Sequence, residues 1–97
     1  MYAVIFRAKI NYIDSSYSEM AEKMRNLAMD VYGCSEFTSV TEGKEEISIS
    51  YWKNQEQIQA WKQDAAHRLA QEFGQSKWYK YYKVQVAKIV REYERNI

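Results

Sequence analysis

The chain contains no proline and a single cysteine among its 97 residues. With Cys34 as its one thiol, an intramolecular disulfide is impossible and a cysteine-based zinc site is excluded. That scarcity suits a reducing compartment, and a cytoplasmic location is expected. No proline-rich linker, low-complexity tract or internal repeat divides the chain, so residues 1–97 read as one domain. Charge of one sign is missing too: 14 Lys and Arg face 13 Asp and Glu, and the net charge of +1 announces no polyanionic partner. No apolar run approaches the roughly 18 residues of a membrane span, so no membrane partner is expected. The opening "MYAVIFRAKINY" lacks the basic flank, long apolar core and cleavage site of an export signal. There is no phosphate loop, no dinucleotide glycine fingerprint and no metal-ligand spacing, so no nucleotide or metal is expected.

What the chain does have is aromatic residues, with nine Tyr, three Trp and three Phe. Residues 2–11 alternate, with Val4, Phe6, Ala8 and Ile10 on one face and Ala3, Ile5, Arg7 and Lys9 on the other, and predict a first strand. Ser16 with Glu19 forms a capping-box pattern. Tyr17, Met20, Met24, Leu27 and Ala28 follow at helical spacing up to Gly33, which predicts an amphipathic helix of about 16 residues. "EFTSVTE" and "EEISISYW" flank Gly43 and predict a hairpin. Asn54 with Gln57 opens a second helix whose stripe is Ile58, Trp61, Ala65, Leu69 and Phe73, stopped by Gly74. "YYKVQVAKIVREY" reads as a long last strand.

The order βαββαβ predicts an α+β, ferredoxin-like fold: a four-stranded antiparallel sheet with both helices on one face. The first and last strands are apolar on both faces, whereas the helices cover only one. A second subunit packed sheet against sheet is the economical cover, so a homodimer is expected.

The stretch "KWYKYYK", residues 77–83, interleaves aromatics with lysines and raises the question of nucleic acid. RNA-recognition domains share this element order but carry a glycine-containing basic-aromatic signature on the third strand. Here that strand begins with Glu45 and Glu46, where phosphates would approach, and no nucleic-acid partner is expected. His67, the one histidine, is the natural candidate for proton transfer near neutrality, yet lies about 180° from the stripe of its helix. Cys34 has no activating base beside it in sequence and reads as small apolar filler; Met20 and Met24 read as packing.

The element order, together with the run from "TEGKEEISISYW" through Trp61, His67, Ala70, Gln71 and Gly74 to "WY" and "VQVAKIVREY", resembles the antibiotic biosynthesis monooxygenase family of dimeric ferredoxin-like proteins. The resemblance spans nearly the whole chain. It implies a dimeric α+β barrel with a pocket between sheet and helices in each protomer. It also implies oxygenation of electron-rich phenols or quinols by dioxygen without flavin or metal. A haem-degrading branch of the superfamily is similar in placing a Trp at the end of the third strand, as Trp52 is, and a His in the following helix, as His67 is. The interval between them is longer here, and Arg7 stands where that branch has an Asn on the first strand.

The expectation is therefore a homodimer with an aromatic-lined pocket built from Tyr51, Trp52, Trp61, Trp78 and Tyr79. His67 is its candidate acid or base, and Arg7 the candidate partner of an anionic oxygen. The expected activity is cofactor-independent monooxygenation of a small aromatic, polyketide-like phenol or quinol. The alternatives are a non-catalytic small-molecule binding or stress-related protein, and a haem-binding or haem-degrading protein.

Overall fold

A computed structural model describes residues 1–69 and 78–97. Its elements run β1 (Tyr2–Ile10), α1 (Ser15–Asp30), β2 (Glu36–Glu42), β3 (Glu45–Trp52), α2 (Gln55–Arg68) and β4 (Tyr79–Lys88). Among the described residues the strands form one four-stranded sheet in the order β2-β3-β1-β4, with every neighbouring pair antiparallel. Both helices cover one face, as the ferredoxin-like order requires. Phe73 and Gly74, expected to end the second helix, lie outside the described residues, as do Ala70 and Gln71 of the resemblance.

The first helix starts earlier than its capping-box pattern predicts. Asp14, not Ser16, is the N-cap: its backbone is extended and its Oδ1 accepts from the Tyr17 amide at 3.0 Å. The same oxygen accepts from Trp78 Nε1 at 3.2 Å, a contact made by tertiary structure that neither Ser15 nor Ser16 receives in its place. At the far end Val31 takes the C-cap position, and Gly33 follows at φ +83°. That left-handed turn lets the Cys34 amide reach back to Ala28 O at 3.0 Å. The second helix begins where the sequence predicts. Asn54 accepts from the Gln57 amide at 2.9 Å, while Gln57 Oε1 accepts from the Lys53 amide at 3.2 Å.

Register divides the sheet into two faces. Toward the helices point Val4, Phe6 and Ala8 of β1, Glu46, Ser48, Ser50 and Trp52 of β3, and Val84 and Val86 of β4. Toward the open side point Ala3, Ile5 and Arg7, with Ile47, Ile49 and Tyr51 beside them. The third strand is thus inverted relative to a simple half-buried strand, with its polar residues facing the helices. Glu46, read from the sequence as lying where phosphates approach, is a correction that follows from this inversion: it is only 7% exposed.

The last strand is shorter at its end than its apolar pattern suggests. It runs from Tyr79 to Lys88, and Lys88 pairs with Tyr2 at the start of β1, so beyond it the ladder has no further partner. Residues 89–93 leave the sheet after one more bond, from the Ile89 amide to Met1 O at 3.0 Å.

Two apolar clusters fill the space under the helices. One surrounds the fully buried Trp52 with Val4, Ala28, Cys34 and Ile58; the other joins Tyr17, Met20, Met24, Ala65 and Trp78. Trp61 touches both, tilted on Trp52 at 5.2 Å between ring centroids. The helix ends meet at Gly33, where an added Cβ would stand 2.6 Å from Gln57 Nε2. Gly33→Ala should therefore lower stability by about 1–2 kcal/mol, chiefly through the positive φ, since the Gln57 amide can swing aside; this is measurable as a fall in denaturant midpoint at unchanged slope.

Candidate functional site

Between the inner sheet face and the helices lies a cavity of about 280 Å³, at the lower edge of the usual range of about 300–1,000 Å³ for ligand pockets. Its apolar walls come from β1 (Val4, Phe6), β4 (Val84, Val86), α1 (Met20, Met24), α2 (Ile58, Ala65) and the C-cap of α2 (Leu69). Aromatic rings enter from Phe6, Phe37, Trp61 and Tyr79. Polar groups come from Ser39, Ser48 and Glu46 on the sheet and Lys62 on α2. The Ser39 and Ser48 hydroxyls satisfy each other at 2.6 Å, so the strand pair presents a closed polar patch there.

Glu46 sits at the other polar position. Tyr17 Oη donates to its Oε1 in a short contact, and Tyr79 Oη donates to Oε2 at 3.2 Å. One tyrosine comes from α1 and the other from β4, so the carboxylate ties a helix and an edge strand to a central strand. Burial, reinforced by the bond to Glu46, pushes the Tyr17 hydroxyl up to about 12. Burial also raises Tyr79, with Tyr17 and the Glu46 charge adding to it. Both hydroxyls stay protonated and act as donors at neutral pH. Tyr79 and Glu46 line the cavity, while Tyr17 stands behind them. Among the described residues no buried side-chain polar atom lacks a partner.

The residues expected from the sequence are dispersed. Trp61 and Tyr79 line the cavity, and Trp61 is held by a bond from Nε1 to Met24 O at 3.1 Å. Trp52 and Trp78 are buried in the two clusters and do not line it; Trp52 Nε1 donates to Ser50 Oγ at 2.8 Å. Tyr51 is directed to the open sheet face, opposite Ala3. Arg7 shares that face, beside Ile47 and Lys83, and is exposed. His67 is exposed in the last turn of α2, on the side away from Ile58 and Ala65; the neighbouring Asp64 carboxyl is held low chiefly by the Tyr32 hydroxyl and then by Arg68. His67 and Arg7 thus occupy opposite sides of one protomer and do not converge. Cys34 is buried, and burial raises its thiol above the ordinary value, which fits filler rather than a nucleophile. Glu46 and Tyr17 are the polar residues that sequence reasoning missed. Their signal was the alternation counted back from Trp52, which puts Ser50, Ser48 and Glu46 on one side. Among the described residues there is no cluster of metal-ligating side chains, and no helix long and apolar enough to cross a membrane.

A ferredoxin-like sheet with a cavity beneath its helices is an architecture this chain shares with several solved structures. SnoaB from Streptomyces nogalater, a cofactor-independent oxygenase solved as a single-site mutant, superposes with a TM-score of 0.71 over 94% of both chains at 8% identity. A single-site mutant of MhuD, with two manganese protoporphyrin IX bound per active site, matches at 0.64 over 98% of this chain and all of the other, at 13% identity. A dimeric ferredoxin-like protein from an uncultured marine organism matches at 0.61 over 97% and 98% of the two chains, at 10% identity. At these identities the likeness is one of fold. In sequence, the chain belongs to the same family as the uncharacterized protein YqjZ of Bacillus subtilis (strain 168), being 40% identical over 92 residues that cover 94% of this chain and 81% of YqjZ. No family model matches.

Tyr17→Phe should cost about 1–3 kcal/mol at neutral pH, because it leaves Glu46 Oε1 without its donor. The wild-type contribution is fully present below pH 10.0, the ordinary tyrosine value, and is lost as pH rises through about 12. Chemical denaturation across that window should show a shallower alkaline loss of stability in the variant than in the wild type.

Proposed function

We propose that the cavity binds a small electron-rich aromatic molecule, a phenol or quinol of the polyketide kind, and that the protein oxygenates it without a cofactor. The observation that carries this reading is an apolar, ring-lined cavity meeting one carboxylate held by two tyrosine hydroxyls. The fold shared with a cofactor-independent oxygenase supports it. Such a substrate supplies its own electrons. Once deprotonated, it passes one electron to dioxygen; the two radicals combine into a peroxide. Loss of water then leaves one oxygen atom on carbon in place of two hydrogens. The protein's share is to hold the ring, take the proton and exclude water. In this reading Trp61 and Tyr79 are aromatic walls, and Trp52 and Trp78 fix those walls by packing. No chemistry of the cavity is assigned to His67, Arg7 or Tyr51.

Haem fits this site less well. The one histidine of the chain is exposed on the outer side of α2, so it cannot serve as an axial ligand within the cavity of its own protomer. No step is therefore routed through haem.

The open sheet face supports a second proposal, that two copies of the chain pack sheet to sheet. Ala3, Ile5, Ile47, Ile49 and Tyr51 form its apolar centre, and a protein of the same fold is dimeric. Light scattering at micromolar concentration should give twice the monomer mass, and Ile49→Lys, a charge at the centre of the patch, should shift it to one. A monomeric wild type would sink the proposal.

For the activity, oxygen consumption with a panel of quinols and anthrone-type phenols should show one dioxygen used per substrate with at least one member. No uptake across the panel, with stoichiometric haem binding by the same protein, would overturn the oxygenase reading.

A further inference from the structure

The polar end of the cavity is a built arrangement. Glu46 is buried on a central strand, where its cross-strand neighbours are Ala8 of β1 and Thr41 of β2. Among the described residues the titratable groups facing the carboxylate are Tyr17 from α1 and Tyr79 from β4, and Lys62 of α2 lines the same cavity. A buried carboxylate is costly to desolvate, and an apolar residue here would suit the surrounding walls better. Its two donors are unequal: Tyr17 holds Oε1 from behind the wall, whereas Tyr79 reaches Oε2 through the longer contact, 3.2 Å, from the cavity side.

We propose that Glu46 binds the hydroxyl of an aromatic substrate and takes its proton, while Tyr79 moves its hydrogen bond from the carboxylate to the oxygen left charged. The inference rests on the phenol-binding reading of this cavity. In the step, the substrate O–H bond breaks, its electron pair stays on the substrate oxygen, and the proton bonds to Glu46 Oε2. The Tyr79 O–H rotates to the new oxyanion and Tyr17 keeps Oε1. One negative charge moves from Glu46 to the substrate, so the cavity carries the same charge before and after. This balance is what lets a desolvated site sustain an anion able to reduce dioxygen. Tyr17 and Tyr79, both raised by burial, do not compete as proton sources. Substrates with a neutral hydroxyl on an apolar ring system are selected; carboxylates and preformed phenolates are disfavoured by the charge on Glu46.

The test uses 4-nitrophenol, whose ionisation is visible in its absorbance. The wild type should take the probe up together with its proton, which the complex holds between the probe oxygen and Glu46, so affinity falls about tenfold per pH unit above the probe's own pKa and the bound pKa belongs to the pair. Glu46→Gln should still bind the probe but lower its bound pKa by at least about one unit, since a like charge has been removed. Tyr79→Phe, which keeps the carboxylate and removes a donor competing for it, should raise the bound pKa further. Probe bound by the wild type with a bound pKa that Glu46→Gln leaves unchanged overturns the inference alone. If Glu46→Gln does not fold, an unchanged value in Tyr79→Phe does the same. No binding by the wild type at millimolar probe overturns the cavity reading itself, and the inference with it.

Discussion

The two-residue period of the third strand is the constraint on which the rest depends. Once Trp52 is turned into the core, Ser50, Ser48 and Glu46 must follow it to the helix side, and Ile47, Ile49 and Tyr51 must turn outward. The inner layer therefore has to satisfy polar groups that a simpler strand would have left in water. It does so locally. Ser50 accepts from the Trp52 indole, Ser48 shares a bond with Ser39 of β2, and Glu46 takes a tyrosine hydroxyl on each oxygen. The same parity leaves an isoleucine-rich open face. One geometric fact thus produces both the polar end of the cavity and the apolar character of the open face.

The aromatic side chains convert this sheet into a container. Trp61 lies on Trp52 and donates to a carbonyl of α1, while Trp78 closes the other cluster and donates to the cap of that helix. These hydrogen bonds let large rings be buried without orphaned N–H groups. The cavity persists between them because the neighbouring positions are small or flexible, as with Ala65, Met20 and Met24. The stretch "KWYKYYK" resolves accordingly in its described part: Trp78 is core, Tyr79 is cavity wall, and Tyr82 stacks on Phe6 at the sheet edge.

Much of the fold could be read from the chain because its signals are local. The alternation of β1, the Gly43 turn and the Asn54 cap each depend on neighbours in sequence. What escaped depends on distant contacts. Asp14 outcompetes Ser16 as a cap while bonded to a tryptophan 64 positions away, and β4 stops where β1 runs out rather than where its apolar residues end. The candidate site was less legible still. Attention to histidine and tryptophan pointed to His67, Trp52 and Trp78, whereas the polar end of the cavity is a glutamate held from behind by a tyrosine 29 positions away. A glutamate in a polar-looking strand reads as surface until the parity of that strand is known.

The unequal placement of the three indoles gives the molecule an internal optical gauge. Trp52 and Trp78 are sealed within the two clusters, and Trp61 alone has its ring on the cavity. Fluorescence quenching or spectral shift on filling the cavity is therefore carried chiefly by one residue, against a background of two shielded emitters, and occupancy can be followed without attaching a label.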